Sequence, residues 1–192
     1  MDQNSFYVTI AVSISTAILA SFVQWWLRYY FGEVKTRKQM KKIHNHGLIS
    51  DIIYACGNEI DADRALVFQC HNGGKYFSGE GIEKFSATSE WVRDGISEEA
   101  SNLQNQPISI YSHMFKELLD GCVMIDSSHS AHDTLIKSFF FSRGVQACLY
   151  YPITKEKKII AFYGFEWNNK IKISQEKQNL VAEIGSALEK LL

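Results

Sequence analysis

Cys70 and His71 stand side by side, and His129, His132 and Asp133 fall close together further along the chain. These are the side chains best suited to hold a metal or to activate a thiol. A structural zinc site usually takes two tight ligand pairs, and this spacing supplies them poorly. Two histidines three apart ahead of a helix serve more simply as loop or capping residues. Nucleophilic catalysis needs a thiol of lowered pKa beside a base, and Cys70 with His71 is the only adjacent pair. Neighbours in a strand point to opposite faces, which argues against a dyad. The four cysteines, Cys56, Cys70, Cys122 and Cys148, contain no CxxC and read as buried thiols rather than a disulfide framework. The sequence therefore assigns no catalytic residue, no metal ligand and no identified cofactor. A small redox or metal-dependent enzyme is the third reading of the chain.

A ligand site has more to build on. Asn72, Gly73 and Gly74 follow a short apolar run, and their backbone N–H groups are placed to face a ligand. Tyr76, Phe77, Ser86, Thr88 and Trp91 are candidates to line a pocket beside them. Plain turn geometry accounts for the glycines equally well. Asp126 to His129 read as a solvated loop. Glu166 sits among apolar neighbours, with exposure at a strand end as the simpler account and a carboxylate facing the pocket as the alternative.

The elements that must position these residues begin with an uncharged, mostly apolar stretch from Gln3 to Leu27, followed by Arg28, Lys35, Arg37, Lys38, Lys41 and Lys42. Such a stretch is long enough to cross a hydrocarbon core about 30 Å thick. Lysine and arginine at one end place that end in the cytoplasm. The expected layout is a transmembrane anchor over 1–32 with a short outside tail, a basic stem helix over 33–44, and a cytoplasmic domain over 45–192. The expected location is the cell inner membrane, single-pass, with the N-terminus outside. Beside a span, a basic run contacts anionic lipid rather than nucleic acid, so no nucleic-acid role is expected. Thr9, Ser13, Ala17 and Ser21 form a stripe of small residues on which transmembrane helices can associate, so a homo-oligomer is expected.

A composition of 46% hydrophobic residues with 13% aromatics supports a folded body of one domain. Apolar residues at Met40, Ile43, Leu48, Ile52, Ile53, Cys56 and Ile60 predict a helix out of the stem, broken or held by tertiary contacts near His44–Gly47. Arg64 to Cys70 predicts a buried strand closed by a turn at His71–Gly74, and Lys84 to Val92 a second strand. Short helices are expected at 111–119 and 133–142, ended by Gly121 and Gly144. Val145–Ile153 and Ile159–Trp167 predict a β-hairpin apolar on both faces, hence covered on both sides. Ser174 predicts the cap of a closing helix with Leu180, Val181, Ile184, Leu188 and Leu191 on one stripe.

The order of these elements, with Asp63–Phe68 as first strand, Gly144–Ile153 as late strand, Ile160–Phe165 as its partner and Ser174–Leu191 as closing helix, resembles a GAF domain over residues 45 to 192. The His71–Gly74 step also resembles uncharacterised GAF-like proteins of tailed bacteriophages. The resemblance implies an α/β (α+β) fold, an antiparallel GAF-like sheet with helices on one face and a pocket on the other, behind the N-terminal transmembrane helix. It implies small-molecule sensing or dimerisation. No Asn-Lys-Phe-Asp-Glu signature of the cyclic-nucleotide-binding members is present. The leading reading is a membrane-anchored, non-enzymatic sensor or interaction module that self-associates, with the lipid bilayer, a small-molecule ligand and a protein partner as candidate contacts. The second is a phage or prophage structural membrane protein that uses the same fold for packing.

Overall fold

The computed structural model describes residues 3–75, 78–79, 81–126 and 134–192, leaving out the side chains of 3–14 and 134–136. Tyr76, Phe77, His129, His132 and Asp133 lie outside the described residues. The chain forms two units, residues 1–44 and 45–192.

Helix α1 (Gln3–Glu59) runs without a break through Gly47. Tertiary contact explains the continuity: Ile49, Ile53, Cys56 and Ile60, spaced four and three apart, are all buried. In the first unit Trp25 stacks on Tyr29 and Trp26 on Tyr30, at 5.9 and 5.8 Å. Ile18, Leu19, Phe22, Trp25 and Trp26 are exposed. Among the described residues no helix is long and apolar enough to cross a membrane. The span expected from Gln3 to Leu27 is therefore not met within them, and its part over 3–14 falls on side chains outside the description.

The second unit is built on a six-stranded sheet of β1 (Arg64–Lys75), β2 (Gly81–Val92), β3 (Gln106–Pro107), β4 (Val123–Ile125), β5 (Ala147–Lys155) and β6 (Lys158–Trp167). The strand order is β3-β2-β1-β6-β5-β4, and each pairing is antiparallel. β1 continues through His71–Gly74, where a turn was expected. Pairing with β2 carries it on, and the sequence's turn signal marks only a register shift between Asn72 and Lys75. The β5–β6 hairpin turns on Glu156 and Lys157, both in the left-handed region (φ 52° and 64°), which matches the right-handed twist of the flanking strands.

Both faces of the sheet are covered. On one, α1 packs with α4 (Gln175–Glu183) and α5 (Gly185–Leu191) over Ala65, Val67, Leu149, Tyr163 and Phe165. On the other, α2 (Ser112–Asp120) and α3 (Thr134–Phe141) pack over Leu66, Phe68, Phe85, Tyr150 and Phe162. The first and closing helices thus share one face, as the resemblance implies, and the two short helices cover the other. Met114, Phe115 and Leu118 make α2 amphipathic enough to need that second face.

Ser174 caps α4, its hydroxyl accepting from the Lys177 N–H at 3.3 Å. The closing helix then breaks into two at Ile184–Gly185. A side chain at Gly185 would stand 2.7 Å from the Tyr163 hydroxyl, which instead donates to the Val181 carbonyl at 2.9 Å.

Candidate functional site

Two features on the α2/α3 face could carry chemistry: a groove at the end of β1 and a buried charge cluster near its start. The groove has a volume of about 500 Å³, and Cys70, Asn72, Phe115, Leu119, Lys158 and Ile160 are among its lining residues. Ligand sites typically run about 300–1,000 Å³ with mostly apolar walls and a few polar groups, and this groove has that character.

Of the eight residues expected to bind a ligand, Asn72 lines the groove and is exposed. Gly73 lies under the Lys84 side chain, so closely that a Cβ there would collide with it. Gly74 has φ +114° and open space around it. The Ser86 hydroxyl bonds the His71 Nε2 at 2.9 Å and accepts from the Asn105 N–H at 2.8 Å. Thr88 donates to the Val67 carbonyl at 3.3 Å. Trp91 is on the opposite face, its ring against Gly57 and 5.9 Å from that of Tyr54. Tyr76 and Phe77 lie outside the described residues. The structure thus gathers His71 with Ser86, leaves Asn72 at the groove, and puts Trp91 elsewhere.

Cys70 and His71 both line the groove, where strand alternation led us to expect opposite faces. Burial, with the Glu83 carboxylate adding to it, pushes the Cys70 thiol up to about 11, the reverse of an activated nucleophile. Among the described residues no group of three His, Cys, Asp or Glu side chains is placed to hold a metal ion.

The middle of this face is occupied by rings. Phe68 stacks on Phe162 at 4.5 Å, and Phe85, Phe115, Phe140 and Tyr150 close around them. A ligand large enough to lie flat on the sheet would have to displace them.

Near the start of β1 the carboxylate of Glu166 is fully buried, correcting the expectation of strand-end exposure. The register of β1 on β6 puts Arg64 directly opposite it. Arg64 Nη1 donates to Glu166 Oε2 at 2.6 Å, while Arg143 Nη2 and the Tyr150 hydroxyl donate to Oε1, each at 2.7 Å. Arg64 Nη2 also donates to the Ser97 carbonyl at 2.7 Å. Its Nε faces Glu90 Oε1 at 3.4 Å, close enough for charge pairing but without hydrogen-bond geometry. Glu90 in turn accepts from the N–H groups of Glu99 and Ala100 at 2.8 and 2.9 Å. Burial drives the Tyr150 hydroxyl well above its ordinary pKa, and the neighbouring Glu166 charge adds to it, so it remains a donor. The Glu166 charge raises Arg143 against the opposing effect of burial, so the arginine stays charged. Sequence reasoning missed Arg64 and Arg143. The available signal was a single charge embedded in each of three apolar runs, Arg64-Ala-Leu-Val-Phe, Phe-Phe-Phe-Ser-Arg143 and Phe-Tyr-Gly-Phe-Glu166, since charges inside a core are retained chiefly when paired.

This architecture is that of GAF domains. The phycocyanobilin-bound GAF domain of a cyanobacterial phytochrome superposes with a TM-score of 0.61 at 11% identity, covering 81% of this chain and 87% of that one. The GAF domain region of a predicted membrane protein from Geobacter sulfurreducens PCA gives 0.60 at 9% identity, over 81% and 97% of the two chains. A domain of a predicted two-component sensor histidine kinase from Sinorhizobium meliloti 1021 gives 0.50 at 11%, over 75% and 88%. At these identities the likeness defines the fold. No protein-family model matches the sequence, and no curated protein matches it either.

Proposed function

We propose that the chain is a non-enzymatic GAF-type sensor or interaction module, tethered to the cell inner membrane by its first unit and self-associating through its helices. The observation that carries the sensing part is the open groove at Asn72, of ligand size and beside a fold used for ligand binding by its structural neighbours, one of which is a bilin-bound domain. The membrane part is supported by the uncharged run 3–27, the basic residues 28–42 and the exposed aromatic rings between Phe22 and Phe31, together with a neighbour that is itself a predicted membrane protein. In this layout residues 1–32 anchor, residues 33–44 form the stem, and residues 45–192 face the cytoplasm. Asn72 meets the ligand at the groove, Gly73 and Gly74 shape the strand edge beside it, and Ser86 and Thr88 shape the strand behind.

A second reading is favoured by the rings that fill the centre of the α2/α3 face: the same fold serving as a packing scaffold, as in a phage or prophage membrane protein. One set of measurements on the full chain separates the two. Alkaline carbonate should leave the protein in the membrane pellet. Light scattering in detergent should give a mass above one copy. Native mass spectrometry of the purified protein should show a small molecule that is lost on Asn72→Trp. Extraction by carbonate overturns the tether, a monomeric mass overturns self-association, and a ligand-free spectrum moves the assignment to the scaffold.

A further inference from the structure

We propose that the groove at Asn72 takes an amphiphile with one alkyl chain and an anionic head, the chain lying on the groove's apolar wall and the head meeting Lys157 and Lys158.

This rests on the sensor reading of that groove and names the class of its ligand. Ile108, Phe115 and Leu119 supply the wall from α2 and the segment ahead of it, and Ile159 and Ile160 supply it from β6. Leu119 is 61% exposed, and Ile108, Ile159 and Ile160 are half-buried, so apolar surface is left for an occupant to cover. Each CH₂ moved from water onto such a surface is worth about fourfold in affinity.

The charges set the head. The ionisable side chains that line the groove are Cys70, His71, Glu83, Lys157 and Lys158. The Cys70 thiol keeps its proton, and His71 Nε2 is bonded to the Ser86 hydroxyl at 2.9 Å. Two ammonium groups therefore stand against one carboxylate. They are also apart: the lysines belong to the β5–β6 hairpin and Glu83 to β2, with β1 between, about 10 Å at the usual strand spacing. Glu156, in the same turn, does not line the groove. Both lysines are exposed, and among the described residues neither makes an ion pair. An anionic head gains both of them, whereas a cationic head is left with the exposed Glu83 alone.

The groove also lies at the end of the domain where the chain comes in from the proposed tether. Lys177 lies over the Trp167 ring, the Tyr163 hydroxyl bonds the Val181 carbonyl, and Asn45 Nδ2 donates to the Leu191 carbonyl at 2.8 Å. The closing helices thus run back along β6 from its end toward Lys158, and Asn45, the first residue after the stem, joins them there. A molecule shared with a bilayer suits that end.

The probe is a decanoate that carries an aliphatic diazirine, photolysed with the full chain held in an amphipathic polymer so that no detergent chain competes. Labelled peptides are read by mass spectrometry, and competition by octanoate gives its affinity. The label should fall within 108–119 and 157–160. Octanoate should displace it about fivefold better than octylammonium, and decanoate about tenfold better than octanoate. Lys157→Gln with Lys158→Gln, at two exposed turn positions, should weaken octanoate by about fivefold. Octyl phosphate tells a phosphate-headed lipid from a fatty acid as the source, and binding of neither overturns the proposal. Label elsewhere, equal displacement by octylammonium, or unchanged affinity in the double variant overturns it too. A molecule seen in native mass spectrometry, lost on Asn72→Trp but displaced by neither octanoate nor octyl phosphate, ends this proposal and leaves the sensor reading in place.

Discussion

Replacing Glu166 by glutamine isolates the worth of the buried charge cluster. The carboxylate now accepts three charge-assisted or buried hydrogen bonds, from Arg64, Arg143 and Tyr150, at 2.6 to 2.7 Å. Glutamine keeps the shape and one acceptor oxygen, but its NH₂ then faces an arginine N–H, and two positive charges are left against the single carboxylate of Glu90. Removing one partner of a buried ion pair costs about 3–5 kcal/mol. Whole domains are stable by about 5–15 kcal/mol, so Glu166→Gln should consume a large part of the total. The assay is urea unfolding of the full chain in detergent, read by the change in tryptophan fluorescence, in which Trp91 and Trp167 report on the second unit, with the denaturant slope unchanged and the midpoint shifted. The quadruple change Arg64→Met, Arg143→Met, Glu166→Leu, Glu90→Gln should lose far less, because replacing every charge of the cluster together leaves none unpaired. A loss under about 1 kcal/mol for Glu166→Gln refutes the reasoning, since that is the range of solvent-screened surface pairs.

The remaining predictions concern packing, capping and the thiols. Gly57→Ala would place a Cβ 2.6 Å from the Trp91 ring, so it should cost about 1–3 kcal/mol in urea unfolding, recovered in part by Trp91→Leu. Phe162→Ala empties the centre of the ring cluster and should cost about 3–5 kcal/mol, with a lowered unfolding midpoint as the readout. Ser174→Ala removes the α4 cap and should cost about 1 kcal/mol. Burial pushes Cys56 and Cys70 up to about 11, so both should react with iodoacetamide in the native state far more slowly at pH 8 than after denaturation, by mass spectrometry. Because each folded-state pKa lies above its unfolded value, their contribution to stability is complete below about pH 8.5 and is lost as pH rises through 11.

The hairpin and the capped closing helix were legible in the chain because local patterns specify them: two apolar runs around a polar turn, and a serine ahead of an amphipathic stripe. The strand extension through His71–Gly74 was not, because its residues carry turn chemistry and only pairing with Lys84 and Glu83 on β2 holds them extended. The need for a glycine at 185 also comes from a distant group, since a Cβ there would stand 2.7 Å from the Tyr163 hydroxyl. At the candidate site Asn72 was readable as a loop-like polar residue at the end of an apolar run. Arg64, Arg143 and Glu166 lie 102 and 23 residues apart in the pairs they make, and no local window contains two of them.

Those separations also say what the cluster does. Glu166 on β6 binds Arg64 of the neighbouring strand and Arg143 from the end of α3, so one carboxylate joins the sheet to the helix above it. The Phe139 and Phe140 rings under the guanidinium add contact, and the Phe139 carbonyl fixes its orientation. Glu90→Gln should separate the two ends of the cluster: it loosens Arg64 and the Glu99–Ala100 turn, lowering the urea midpoint, while the bonds that hold Arg143 stay in place. If Glu90→Gln lowered the midpoint as much as Glu166→Gln does, the cluster would answer to the packing of the whole face and not to the one carboxylate that joins sheet and helix.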